Sequence, residues 1–122
     1  RTARSMGRPL PTFEQLHPED DSSDVQILLM HTPATGDVQR AMTAGFDLVV
    51  SGHTHGGQMF PFTIFTKMAF QYHHGLYKVN DGYQLTTCGI GYWGPPMRVG
   101  KPPEIMLIKL VPSTEPARCE WK

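Results

Sequence analysis

Two histidines separated by one residue stand in the stretch Ser51-Gly-His-Thr-His-Gly-Gly-Gln58, with glycines on both sides. Neutral imidazole is a common metal ligand, and it suits Zn, Fe, Mn, Ni or Co better than Ca or Mg. In an extended chain, residues i and i+2 share a face, so His53 and His55 could serve one ion or two adjacent ions. An ordinary surface turn is the alternative. The glycines predict a loop whose backbone takes angles that a side chain would forbid.

The elements on either side of this loop must position it. Residues 25–30 form a short apolar run that predicts a buried strand, and His31 follows it directly. Residues 46–50 predict a second buried strand, which ends at the loop. N-cap chemistry at 35–37 and a glycine stop predict a helix over about 37–44 between the strands. Since ligand sites in such βαβ-like units lie beyond the carboxyl ends of the strands, we expect His31 to converge with the loop histidines. A hydrogen-bonded cap is the plainer role for a lone histidine there.

The rest of the chain predicts a rim and further strands. Residues 59–74 are aromatic and irregular, which indicates a loop over the site. Alternating runs at 76–79 and 83–88, separated by Asn-Asp-Gly, predict a hairpin. A glycine-rich loop follows at 89–98, and 102–111 predict a final strand. The fold class is therefore α/β.

Other side chains near these elements have plainer interpretations than metal binding. His73 and His74 follow no strand end, which favours rim or solvent positions, and His17 lies in a segment without periodicity. Arg98 could bind a phosphate through its planar guanidinium, although an arginine in a loop more often pairs with a carboxylate or with solvent. Asp47 stands at the start of a strand, where it is expected to cap a turn.

Composition bounds the function without naming a partner. The chain has 122 residues, enough for one domain, and eleven basic residues balance eleven acidic ones. A net charge of zero gives no signal for nucleic acid. Two cysteines are too few for a disulfide framework, so they do not indicate whether the protein is in an oxidising or a reducing compartment. The longest apolar runs are far shorter than the ~20 residues of a membrane-spanning helix.

The two ends differ from the middle of the chain. Residues 1–24 show no sustained period and predict a linker or loop, within which 11–16 could form a helical turn with a weak capping box. Residues 113–122 predict a tail. Because the first residue is Arg1 and no targeting segment follows, we expect a piece of a longer protein.

Residues 25–33, VQILLMHTP, and residues 45–58, GFDLVVSGHTHGGQ, resemble the calcineurin-like metallophosphoesterase superfamily. Together with His74-Gly-Leu-Tyr77 and Gly94-Pro-Pro-Met-Arg98, the SGHTHGGQ motif is similar to the branch that includes membrane-anchored metallophosphoesterases. The resemblance covers about residues 25–111. It implies a two-sheet sandwich flanked by helices, of which 25–112 would be the carboxyl-terminal half.

The resemblance also implies an activity and a ligand set. Such enzymes hydrolyse phosphate mono- or diesters with a hydroxide that bridges two metal ions, Mn, Fe, Zn or similar. His31 and His53 would bind the second ion and His55 the first. The other ligands come from upstream motifs of the form Asp-x-His, Gly-Asp-x-x-Asp and Gly-Asn-His-Asp/Glu, and this sequence has none of them. We therefore expect the isolated chain to be inactive and to need the amino-terminal half of the domain as its partner.

Two other interpretations stay open at this point. One is a non-catalytic scaffold for protein interactions on the same fold, and the other is a mononuclear three-histidine site that acts in this chain alone. The sequence names no substrate beyond a phosphoester, although Phe60, Phe62, Phe65, Tyr92 and Trp93 could wall a pocket. Half a sandwich would expose sheet edges and core faces, which predicts association or poor solubility.

Overall fold

The computed structural model describes residues 11–16 and 25–112. Most of the predicted linker over 1–24, with His17 in it, lies outside the described residues. So does the predicted tail over 113–122.

A four-stranded mixed sheet forms the centre of the fold. Its strands are β1 Ile27–Leu29, β2 Leu48–Ser51, β3 Gly75–Val79 and β4 Gly82–Thr86. They lie in the order β1-β2-β4-β3, in which β1 and β2 are parallel, β2 and β4 are parallel, and β3 and β4 form an antiparallel hairpin. The α/β class, the βαβ unit and the hairpin are confirmed.

Two of the helices start in different ways. The first, α1 Phe13–Leu16, has reciprocal bonds in front of it: the Gln15 N–H donates to Thr12 Oγ1 at 3.3 Å, and the Thr12 N–H donates to Gln15 Oε1 at 2.9 Å. The second, α2 Thr35–Thr43, starts from Ala34 without a side-chain cap bond, so the cap predicted at 35–37 is wrong.

The third helix, α3 Phe62–Ala69, replaces the irregular loop predicted over 59–74, and that prediction is wrong. Aromatic and β-branched residues are weak helix formers, which is why the segment did not look helical. No side chain of α3 is buried, and the helix packs against a 3-10 turn at His55–Gly57. It is therefore held by that turn rather than by a core face.

The segment 102–111 has no regular secondary structure, so the predicted final strand is wrong. Ile105 is 86% exposed and Leu107 is 95% exposed. The prediction that β1 is a buried strand also fails, because Leu29 is 77% exposed and only Leu28 of that strand is buried. A strand forms only against a partner, and 102–111 pairs with no strand in the described part of the chain.

The core lies between α2 and one face of the sheet. Its buried residues are Leu28, Val38, Ala41, Met42, Phe46, Val49, Tyr72 and Val79. At the start of the second parallel strand, the Asp47 carboxylate accepts the Gln26 backbone N–H at 2.8 Å, so it joins the starts of two neighbouring strands rather than capping a turn as predicted. The candidate ligands His31 and His53 lie at the opposite, carboxyl ends of the strands.

A buried polar network lies between β2 and β4. The Gln84 side chain is fully buried, and its amide donates to Ser51 Oγ at 2.6 Å and Thr86 Oγ1 at 2.9 Å. We expect Gln84→Ala to lower the free energy of unfolding by about 2–4 kcal/mol, since it leaves a cavity and removes the donor for two buried hydroxyls. Chemical denaturation measures this loss. Gln39→Ala, on the exposed side of α2, is the control and should change little; equal losses would contradict the role of the network.

Candidate metal centre

His31 and His53 lie just beyond the carboxyl ends of the adjacent parallel strands β1 and β2. His53 Nδ1 is 2.9 Å from His31 Nε2, and the two rings meet edge to face with centroids 4.8 Å apart. Two nitrogens bound at about 2.0 Å to one tetrahedral ion lie about 3.3 Å apart. The pair therefore needs only a small separation to hold one ion.

His55 opens the 3-10 turn that follows. Its Nδ1 is buried and has no hydrogen-bond partner, an arrangement that costs free energy unless something binds the nitrogen. In the described part of the chain, His31, His53 and His55 do not form a single cluster of three possible metal ligands. The three residues thus fit a site in which His55 binds an ion other than the one between His31 and His53.

The backbone of the loop is not extended. His53 has φ 67° and His55 has φ 50°, both in the left-handed region, while Thr54 between them is right-handed helical. The premise that an extended His-x-His points both rings to one face is therefore wrong. Left-handed non-glycine residues carry backbone strain, and such strain is typical of ligand-binding loops.

The electrostatic environment keeps the His53 ring neutral. Burial is the largest cause, and the neighbouring His31 and then His55 add to it, so the pKa of His53 lies below its ordinary value. Neutral imidazole is the form that binds metal ions.

Glycine is required at the end of the metal loop, the residues 52–58 that carry the candidate ligands His53 and His55, because α3 lies directly on it. A Cβ at Gly57 would lie 2.3 Å from Thr63 Cα and 2.7 Å from Thr66 Oγ1, and φ there is 75°. On the other side of the loop, the Thr54 hydroxyl donates to the His73 carbonyl at 2.7 Å and accepts from the Gly56 N–H at 3.3 Å. The loop is therefore fixed from both sides.

Arg98 binds backbone carbonyl groups. The predicted partners, a phosphate or else a carboxylate or solvent, differ from these. Its Nη2 donates to the carbonyls of Cys88 at 2.9 Å, Gly89 at 3.1 Å and Gly91, and its Nη1 donates to the His55 carbonyl at 3.3 Å. The guanidinium thereby ties the glycine-rich loop to the metal loop.

Gln58, the last residue of the SGHTHGGQ motif, makes a second tie to the same loop. Its amide donates to the Trp93 carbonyl at 2.8 Å and the Pro95 carbonyl at 3.3 Å, and its Oε1 accepts the Trp93 N–H at 2.6 Å. The Val99 N–H donates to the Gln58 backbone carbonyl at 2.8 Å. Sequence reasoning did not find this role, which depends on contacts across 35 residues and more.

Aromatic side chains lie close to the metal loop. The Phe70 ring, at the end of α3, meets the His53 ring edge to face with centroids 5.7 Å apart. Phe62 and Trp93 meet in the same way at 6.4 Å, and both are exposed. The helix and the glycine-rich loop thus form one apolar surface beside the histidines.

His74 belongs to a second cluster, so its predicted rim or solvent position is wrong. Its side chain is 11% exposed, and Nε2 lies 3.0 Å from Glu104 Oε2. Glu104 Oε1 accepts from the Cys88 N–H at 2.7 Å and from Thr87 Oγ1 at 2.9 Å. The hairpin could have shown this proximity, because pairing of β3 with β4 places the residue before one strand beside those after the other.

Burial and charge shift two of these groups in opposite directions. Burial raises the pKa of Glu104, but its hydrogen bonds, first of all that from His74, outweigh burial and leave the pKa below its ordinary value. Burial, followed by the charge of Glu104, raises the pKa of Cys88. The carboxylate is therefore charged at neutral pH, beside a neutral thiol.

Several curated proteins similar to this chain carry metallophosphoesterase names. An uncharacterized metallophosphoesterase of Helicobacter pylori J99 is 41% identical over 106 residues, which are 86% of this chain and 28% of that protein. One from Campylobacter jejuni is 40% identical over 101 residues, or 82% and 26%. A transmembrane protein with metallophosphoesterase domain from Danio rerio is 40% identical over 85 residues, or 69% and 20%. No protein-family model and no solved structure matches the chain.

The chain therefore belongs to the metallophosphoesterases, in agreement with the calcineurin-like superfamily that its motifs resemble. It spans less than a third of the length of the three relatives described above. None of the helices in residues 11–16 and 25–112 has the length and apolar character that crossing a bilayer requires.

Proposed function

We propose that this chain is the carboxyl-terminal part of a two-metal phosphoesterase that hydrolyses phosphate mono- or diesters. His31 and His53 hold one ion, and His55 contributes to the other. The observation that carries the proposal is the contact of His53 Nδ1 with His31 Nε2 at 2.9 Å, at the carboxyl ends of two parallel strands. Bound ions would supply Lewis-acid activation of the phosphoester and neutralise its charge.

The amino-terminal half of the same domain completes the site in this proposal, and residues 25–112 form the carboxyl-terminal half. Exposed apolar side chains support it, since Leu29, Ile105 and Leu107 lie open where a second sheet and its strands could cover them. Relatives named as transmembrane proteins support a membrane-anchored parent for the domain.

The full-length protein tests the proposal through its metal content and its hydrolysis of nitrophenyl phosphate esters. We expect His53→Ala to lower hydrolysis by more than about 100-fold, because changes outside the ligands alone cost 10–100-fold. The variant should also lose bound metal. The control is His73→Ala, which removes a ring that contacts Tyr77 but keeps the His73 carbonyl that accepts from Thr54, and it should stay near wild type. Full metal content and full hydrolysis in His53→Ala would overturn the proposal.

The exposed apolar surface also favours a scaffold for protein interactions on the same fold. That function predicts a full-length protein that neither binds metal nor cleaves the esters. A mononuclear three-histidine site is less well supported, because these histidines do not form a single three-ligand cluster among the described residues. Metal analysis of this chain alone checks it, since such a site would retain one ion per chain without the amino-terminal half.

A further inference from the structure

Three side chains of types that bind metal ions lie close together next to the metal loop. His74 Nε2, Cys88 Sγ and a carboxylate oxygen of Glu104 all lie within 4.8 Å of one another. They come from three segments: His74 precedes β3, Cys88 follows β4, and Glu104 lies in the stretch after the glycine-rich loop. The function proposed above uses none of these side chains.

Their spacing is close to that of ligands around one zinc ion. The His74 Nε2 atom lies 3.0 Å and 3.2 Å from the two oxygens of Glu104. Around tetrahedral zinc, a nitrogen and an oxygen lie about 3.3 Å apart, and a nitrogen and a sulfur about 3.5 Å apart. The distance between the His74 nitrogen and the Glu104 oxygens is already near the first of these values. A movement of Cys88 Sγ by about an ångström would bring the nitrogen-to-sulfur distance to the second.

The carboxylate is oriented as a ligand would need to be. Its Oε1 is occupied by the Cys88 N–H and by Thr87 Oγ1, and its Oε2 is the oxygen nearer to His74. Carboxylates that bind metals are themselves held by such outer hydrogen bonds, which fix their direction.

Charge and access also suit a divalent cation. A thiolate and a carboxylate together neutralise an ion of charge two, and neutral histidine adds no charge. Cys88 is buried, while His74 and Glu104 reach a cleft of about 520 Å³ through which an ion and a water ligand can enter. Lys101 also lines this cleft, and its positive charge lowers the affinity without closing the site.

We propose that His74, Cys88 and Glu104 bind a divalent metal ion, Zn²⁺ by preference, in a structural site separate from the candidate site of His31, His53 and His55. Sulfur, imidazole and carboxylate ligands together select zinc over calcium or magnesium. The ion joins the β3–β4 hairpin to the segment around Glu104. It also holds Cys88 in place beside the metal loop, where a Cβ at Gly56 would lie 3.2 Å from Cys88 Cβ.

Cobalt substitution of the full-length protein tests the site, because a cysteine ligand gives a sulfur-to-cobalt absorption band that histidine and carboxylate ligands do not. We expect the band in the wild type and its loss in Cys88→Ser, together with one zinc fewer per chain. His53→Ala should keep the band, as should Cys119→Ser, which changes the other cysteine of the chain. Absence of the band in the wild type, or an unchanged band and zinc count in Cys88→Ser, would overturn the proposal.

A second variant covers the case in which Cys88→Ser does not fold, as judged by circular dichroism. His74→Gln keeps the thiol and the carboxylate, and we expect it to weaken zinc binding at this site at least about tenfold. Zinc affinity equal to that of the wild type would overturn the proposal. Because His53→Ala removes the proposed hydrolysis and not this band, failure of one proposal can be told from failure of the other.

Discussion

Replacing Gly57 by alanine should displace helix α3 from the metal loop and lower the free energy of unfolding by about 2–5 kcal/mol. The added Cβ would lie 2.3 Å from Thr63 Cα and 2.6 Å from Thr63 N. These are backbone atoms, so no rotamer change relieves the clash, and the helix or the loop must move. The left-handed φ of 75° adds the strain that any L side chain has in that conformation.

Substitutions at two other glycines distinguish the effect of the steric clash from the effect of backbone strain. Gly89 has a left-handed φ of 63° and no atom within 4 Å of an added Cβ, so Gly89→Ala should cost about 1–2 kcal/mol from strain alone. Gly36 has neither feature and lies in α2, so Gly36→Ala should be neutral or stabilise by about 0.5–1 kcal/mol. Chemical denaturation of the three variants gives the order. A loss for Gly57→Ala no larger than that for Gly89→Ala would refute the contact with α3.

The second large effect is expected at Arg98. We expect Arg98→Ala to lower the free energy of unfolding by about 2–4 kcal/mol, since bonds from a charged donor are worth about 1.5–3 kcal/mol and several backbone carbonyls lose theirs together. One of these carbonyls belongs to His55, so the hydrolysis proposed for the full-length protein should fall as well. Arg98→Lys should recover little, because a single ammonium cannot replace a planar fork that spans carbonyls of two loops.

Arg40→Ala is the matched control for this prediction. Arg40 pairs with Asp37 on the surface of α2, where the two side chains are 72% and 42% exposed, and such pairs contribute about 0–1 kcal/mol. Thermal unfolding and ester hydrolysis of the full-length protein measure both variants. A loss for Arg98→Ala no greater than that for Arg40→Ala would show that the carbonyls do not need the guanidinium.

The β1–α2–β2 unit could be predicted from the sequence because each of its signals is local. Apolar runs mark the two strands, and a left-handed glycine, Gly45, ends the helix between them. The pairing of β2 with β4 was not predictable in the same way, since an apolar run does not name its neighbour in the sheet. The proximity of His31 to His53 could be predicted because each residue follows the carboxyl end of a strand. The structure places the two rings in contact.

The wrong predictions have a shared physical cause, which is dependence on distant contacts. The segment 102–111 has the side chains of a strand, but a strand also needs a partner for its backbone groups. Helix α3 is made of weak helix formers that a tertiary contact at Gly57 holds in place. The loop histidines have left-handed backbones, which are uncommon for any residue with a side chain and do not follow from the residue type alone. Metal binding by His31, His53 and His55 stays a prediction.

Helix α3 rests on Gly57, two residues after His55, and its final turn leads to Phe70 against the His53 ring. Its position and the geometry of these histidines are therefore linked. Under the proposed function, a molecule that prefers one position of α3 would change the affinity of His53 and His55 for metal, and metal would change the affinity for that molecule by the same factor. The exposed side of this helix, which carries Phe65 and Met68, would then be a surface through which the proposed metal site is regulated.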